Sequence, residues 1–377
     1  MNLPPPDNPC ELLATLLGEG VRQGAFPGAT AAVISGFGQE QDLIMAAAGT
    51  TRLDNRAGAV RLETLFDLAS LSKPLATTLL LFDCMEQGIL TAETRYASLC
   101  RRPVPKDKRE ITLGQLLSHS SGLPAYHPYY KDFAPVADPA SRDRILAAIE
   151  HEPLVYQPGG NCLYSDLGFL LLGDLLEELA QTPLDTLFRK RIARPLGLEK
   201  EIFYLPLSGQ SPCDRDNRCA ATEECPWRNR VLQGEVHDEH CFLLGGVSGH
   251  AGLFATIRGV AALCRAILNT WQGLTTALPV SPAFMARALR PYSAGQTWCL
   301  GFDTPSPAGY TSAGRRLSRA SVGHLGYAGT SFWIDPDHKI IIVLLTNRVH
   351  PSRNNTKIRA FRPWFHDRIM AYLFPAR

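Results

Sequence analysis

The chain has no long hydrophobic run, no excess of one charge and no closely paired cysteines, and each absence removes a class of function. No stretch stays apolar long enough to cross a bilayer, so a membrane-spanning protein is not expected. Thirty-eight Lys and Arg stand against 36 Asp and Glu, a formal net charge of +2. No strong field therefore draws the chain to nucleic acid or to an anionic membrane. The basic run Arg101 to Arg109 is broken by prolines and reads as a solvated loop. No Lys or Arg precedes Arg22, and prolines come before any apolar segment. That is not the form of a signal peptide, so the expected compartment is the cytoplasm. The ten cysteines fit this: they are scattered, and several sit inside apolar segments, as small hydrophobes do. The only cluster is Cys213, Cys219 and Cys225, followed by His237 and His240. Its spacing is too wide for a standard zinc pattern, so no metal and no cofactor is expected.

What is present is ordinary globular composition at a length that suggests two lobes, with 377 residues, 45% hydrophobic and 20% charged. Leu12, Leu13, Leu16, Leu17 and Val21 form a helical stripe. Gly28 to Gly36 and Asp42 to Thr50 read as two paired strands. From about Leu90 the pattern turns to helices and long loops, with helices over 138–150 and 166–181 and a Gly-, Pro- and Asp-rich loop section over 205–253. A helix opens at Thr256. Ser321 to Ile334 and Lys339 to Thr346 read as two antiparallel strands joined at Asp335–His338, and 358–373 as a closing helix. The fold class expected is α/β (α+β), one domain over 1–377. An antiparallel sheet flanked by helices is built from 1–90 and 255–377. A helical lobe with long loops spans 91–254, and the site lies in the cleft between.

Chemistry concentrates in three stretches. Phe66 to Leu75 holds Ser70-x-x-Lys73, two side chains one helical turn apart on one face. A lysine held out of water has a lowered pKa and can take the serine proton, and N–H groups at a helix start can face an oxyanion. The plain alternative is a helix cap and a surface lysine. The second stretch, Pro158 to Gly173, places Tyr164 and Asp166 just before a helix. Tyr164 can relay a proton if a cation lowers its pKa; Asp166 also suits a helix cap. The third, Gly323 to Pro336, is a glycine-rich strand with His324, Gly326 and Tyr327. The Tyr327 N–H with that of Ser70 can form an oxyanion hole, and His324 can offer a hydrogen bond or positive charge across the cleft. A structural histidine is the alternative there.

In this order the three motifs resemble the serine β-lactamase-related family, in the branch holding class C β-lactamases, penicillin-binding proteins, D-Ala-D-Ala carboxypeptidases and esterases. The likeness extends to Leu116–Leu123, Gly246–Phe254 and Leu344–Arg348 and so covers nearly the whole chain. It implies a β-lactamase/transpeptidase-like fold. It also implies Ser70 as nucleophile, Lys73 as its activator, and Tyr164 as general base in acylation and acid toward the leaving group. His324 and Gly326 take the third-motif positions. Two departures stand out. Asp166 replaces the usual Asn and should keep Lys73 or Tyr164 more protonated. Leu325 replaces a residue whose hydroxyl helps hold a substrate carboxylate, and Arg348 is a candidate replacement anchor, with a surface arginine as the alternative. The expected function is a cofactor-free serine hydrolase that cleaves small esters, D-amino-acid peptides or muropeptide-type amides through an acyl-enzyme. A penicillin-recognising protein with little turnover is the second reading. A zinc hydrolase on His237, Asp238 and His240 is a third, and His250 carries no assigned role. The only partner expected is the small-molecule substrate.

Overall fold

The computed structural model describes residues 8–38, 40–208 and 218–375. The first seven residues, which entered the signal-peptide reading, and Cys213 lie outside that range. Among the described residues no helix is long and apolar enough to cross a membrane, and nine cysteines are free thiols.

Strands β1 (Gly28–Phe37) and β2 (Glu40–Gly49) pair as the sequence predicts. The predicted single strand over 321–334 is two: β8 (Val322–Leu325) and β9 (Ser331–Asp335), joined by a tight turn. Gly326 N–H donates to the Thr330 carbonyl and Gly329 N–H to the Gly326 carbonyl, which closes that turn. With β10 (Ile340–Thr346) they form one antiparallel sheet in the order β2-β1-β10-β9-β8. A second sheet holds β3 (Phe66–Asp67), β7 (Leu253–Ala255) and β4 (Ile202–Tyr204). The predicted loop section is thus more ordered than its composition suggests. It also holds the small hairpin of β5 (Glu224–Cys225) and β6 (Arg230–Val231) and a short helix, Glu239–Leu243, capped by Asp238.

The central strand is buried on both faces, which is why Ile340 to Leu345 is unbroken apolar sequence rather than alternating. Ile341, Val343 and Leu345 pack with Leu68, Leu75, Leu116 and Leu170 in one core that runs from the sheet into the helices of the middle segment. Ile340, Ile342 and Leu344 turn to the other face, onto Leu13 of helix Pro9–Arg22 and Phe361 and Phe365 of helix Ile358–Leu373. Edge strand β8 and the turn after it lie beside the segment that follows β3: Thr330 Oγ1 donates to the Leu68 carbonyl at 3.0 Å. That contact brings the third motif to the first.

Candidate active site

Ser70 sits in a single 3-10 turn, Ala69–Leu71, directly after β3. Ala69 has φ +48°, a left-handed conformation that non-glycine residues rarely hold. Asp67 holds it there: one carboxylate oxygen accepts from Ala69 N–H at 2.8 Å and the other from His237 N–H at 2.7 Å. The chain then enters a π-helical stretch, Lys73–Thr78, before the α-helix Leu79–Glu86. Lys73 is fully buried, and its Nζ donates to Ser70 Oγ at 3.0 Å, to Asp166 Oδ1 at 2.6 Å and to the His250 carbonyl at 3.2 Å. It also lies 5.0 Å from the centroid of the Tyr164 ring.

The expectations that desolvation lowers the Lys73 pKa and that a nearby cation lowers that of Tyr164 are corrected, while both groups end more protonated, in the direction expected of Asp166. Burial does pull the Lys73 ammonium down, but the charges of Asp166 and Tyr164 and the hydrogen bonds to them outweigh it. Its pKa ends above the ordinary lysine value, so Lys73 rests as a cation. Burial likewise raises the Tyr164 phenol to about 12, against the lowering effect of Lys73. Tyr164 therefore rests protonated, the form a general acid needs. Its hydroxyl faces Lys73 and Ser70 closely enough for both to act on its ionisation.

His324 is neutral rather than a source of positive charge. Burial first, then the Lys73 charge, pushes its pKa down to about 3. Its Nδ1 lies 2.8 Å from the Leu325 carbonyl, which can only accept, so the proton is on Nδ1 and Nε2 is a lone pair. Tyr164, His324, Trp298 and His119 form one cluster of rings, with His119 4.6 Å from Tyr164 and 4.4 Å from Trp298. Trp298 lies outside the sequence motifs, and His119 lies in the Leu116–Leu123 stretch, where it had no role assigned. His119 accepts from Ser165 N–H at 3.1 Å and so fixes the turn that presents Tyr164.

One cavity of about 950 Å³ collects these groups. Ser70, Tyr164, Asp166, His324, Gly326, Tyr327 and Arg348 all line it. Among the described residues, no backbone acceptor takes the N–H of Ser70 or of Tyr327 in the turns that carry them. At position 326 a Cβ would overlap Thr330 Oγ1 and press on the Leu68 carbonyl, so only glycine lets the turn approach the Ser70 segment. Arg348 is no surface arginine: it is 7% exposed, with Nε donating to the Tyr327 carbonyl at 2.8 Å.

The groups of the zinc reading diverge. His237 Nε2 meets Glu223 at 3.1 Å, Asp238 meets His250 Nε2 at 2.8 Å, and the His240 ring lies among Tyr126, Tyr129 and Tyr130. Among the described residues no group of three or more His, Cys, Asp or Glu is disposed to hold a metal ion. His250 is clamped at both ring nitrogens, by Asp238 and by Ser248 at 2.8 Å, which steadies the carbonyl that receives Lys73.

A family model described as "Beta-lactamase" matches residues 13–362. The chain belongs to the beta-lactamase family. Among its relatives are a putative D-alanyl-D-alanine carboxypeptidase of Escherichia coli (strain K12), 34% identical over 312 residues, covering 76% of this chain and 70% of that one. Another is an N-acetylmuramyl-L-alanine amidase of Bacillus subtilis (strain 168), 33% identical over 324 residues, covering 80% and 71%. Among solved structures, an octameric penicillin-binding protein homologue from Pyrococcus abyssi superposes with TM-score 0.70 at 19% identity, over 96% of this chain and 76% of that one. EstCE1, a hydrolase with promiscuous acyltransferase activity, superposes with TM-score 0.71 at 20% identity, over 93% and 97%. At such identities these structures speak for the fold: it is β-lactamase/transpeptidase-like, as the three motifs imply.

Proposed function

We propose that the chain is a serine hydrolase that cleaves an ester or amide through an acyl-enzyme on Ser70. The observation that carries this reading is Lys73, buried and shared between Ser70 Oγ at 3.0 Å and Asp166 at 2.6 Å. In acylation Ser70 Oγ bonds to the substrate carbonyl carbon, and its proton passes to Lys73 as Lys73 gives one to Asp166. The N–H groups of Ser70 and Tyr327 receive the oxyanion. When the tetrahedral intermediate collapses, Tyr164 gives its proton to the departing oxygen or nitrogen. Water then attacks the acyl-enzyme by the reverse proton path, releasing the acid and free Ser70.

The cleft is larger than a short acyl ester needs. Half-exposed Tyr126, Tyr327 and Tyr310 line it, offering flat apolar faces to a bulky substrate. Relatives named as a carboxypeptidase and a muramyl-alanine amidase support a peptide or muropeptide-type amide as that substrate. A fluorophosphonate probe tests the nucleophile. The wild-type protein is expected to label once per chain, and Ser70→Ala to lose all labelling. Equal labelling of the variant means another nucleophile.

A further inference from the structure

We infer that the cleft holds a subsite for an organic ammonium, formed by Trp298 and Asp303, and that the leaving group of the substrate carries that cation. This rests on the acyl-enzyme reading, because it assigns the cation to the molecule cleaved at Ser70. Both residues line the same cavity as Ser70. They are presented by a tight loop over 297–304. Cys299 N–H donates to the Phe302 carbonyl at 2.8 Å, and Thr304 Oγ1 donates to the Thr297 carbonyl at 2.8 Å. These two ties set the arms of the loop side by side and put Trp298 opposite Asp303. Gly301 closes the loop at φ +76°, where a Cβ would overlap Thr78. Asp303 also exchanges backbone hydrogen bonds with Gly323, both at 2.9 Å, which fixes the loop to the edge of β8. The Trp298 ring is 5.6 Å from that of Tyr164 and 5.5 Å from that of His324. The subsite therefore adjoins the phenol that gives its proton to the leaving group.

The charges in the cleft single out Asp303. Among the described residues four carboxylates line the cavity, and three of them are committed. Asp166 holds Lys73 at 2.6 Å, Asp238 meets His250 Nε2 at 2.8 Å, and Glu239 holds Arg353 at 2.6 Å. Asp303 has no ion-pair partner among the described residues, and its donors are Thr304 N–H at 2.9 Å and the Thr297 side chain. Burial raises its carboxyl to about 6. At pH 7.5 it is still mostly ionised and leaves an unbalanced negative charge in the cavity wall. Two cleft arginines are engaged at the other end of β8, where Arg348 and Arg362 are bound to carbonyls of the Tyr327 turn. Opposite the carboxylate is a half-buried indole, and among the described residues no lysine or arginine lies over it. Trp is the ring that attracts a cation most strongly, and an aromatic face beside a carboxylate is chemistry that recognises ammonium groups. One ammonium supplies the missing partner of both side chains. Free amines of a peptide and quaternary ammonium groups both belong to this class.

Two esters that differ by a charged nitrogen in place of a carbon test this: butyrylcholine and 3,3-dimethylbutyl butyrate. The wild-type kcat/KM is expected to favour butyrylcholine by about tenfold or more, the scale of a partly desolvated cation–π contact. The advantage should shrink as ionic strength rises from about 0.02 M to about 0.5 M. In Asp303→Asn the ratio of the two rates should fall about tenfold and in Trp298→Leu several-fold, while Trp298→Phe keeps part of it. Taking the ratio within each variant removes any general loss of activity. Choline and ethanolamine, compared as protectants of Ser70 against the fluorophosphonate, tell a quaternary from a primary ammonium. Equal wild-type rates for the two esters, an unchanged ratio in Asp303→Asn, or protection by neither amine overturns the subsite. Failure of Ser70 to label at all is a different failure, that of the hydrolase reading. In that case thermal stabilisation of Ser70→Ala by choline or ethanolamine, lost in Ser70→Ala/Asp303→Asn, still decides the subsite, and no stabilisation overturns it.

Discussion

Lys73 is where desolvation and charge pairing oppose each other most directly. Burial alone would make it a free amine, but Asp166 at 2.6 Å keeps it charged. The sequence showed both ingredients, Ser70-x-x-Lys73 and the unusual Asp166, and pointed to a more protonated Lys73 or Tyr164, but not to how strongly the carboxylate would act. That depends on a distance across 93 residues of chain. Asp166→Asn makes the balance visible. Without the carboxylate the Lys73 pKa falls, yet the lysine has no adjacent group to take its proton at neutral pH. Labelling of Ser70 at pH 7 is expected to slow by about 100-fold, within the range for a lost proton acceptor. The rate should recover as pH rises and the amine deprotonates. A variant profile parallel to that of the wild type would show that Asp166 takes no proton. His324 taught the reverse lesson. Its position in the motif was legible, but its neutral form follows from full burial, which no spacing reveals.

At the level of elements, the turn between β8 and β9 does the aligning. The sequence reading ran a single strand through it, because Gly326, Gly329 and the flanking apolar residues fit a ligand-facing strand as well as a turn. Helices were more legible: Asp138, Thr256 and the apolar run after Asp166 mark starts that the structure keeps within a residue or so. The hairpin β5–β6 and the Asp238-capped helix were hidden in polar sequence, since tertiary contacts rather than periodicity hold them. Gly326→Ala tests the alignment. The new methyl must push the turn away from Leu68, and with it the Tyr327 N–H from Ser70. A displacement near 1 Å is expected to lower kcat/KM by about 100-fold. Circular dichroism should stay close to that of the wild type. Activity within a few-fold of wild type would mean that the turn need not sit so near.

For the whole molecule, the cleft is a place where stability is given up. Asp303 lines it beside β8, with no ion-pair partner among the described residues, and burial raises its carboxyl to about 6. A carboxyl raised in the folded state favours folding while protonated, and that contribution fades as pH rises from about 4 through about 6. Asp303→Asn is therefore expected to be more stable than wild type at pH 7.5, by up to ~3 kcal/mol. Melting curves at pH 4 and pH 7.5 check this. A gain of the same size at both values would assign the effect to something other than titration.

The sheet joins the two ends of the chain, with Ala29 opposite Thr346 and Ser35 opposite Ile340. During synthesis β1 can pair with β2 at once, but its other edge must wait until β10 has been made. A nascent chain halted before residue 340 exposes that open edge and a half-covered apolar face, the features that invite association with other chains. Late closure makes β10 a checkpoint for folding, since until it is made the open edge of β1 stays accessible to chaperones.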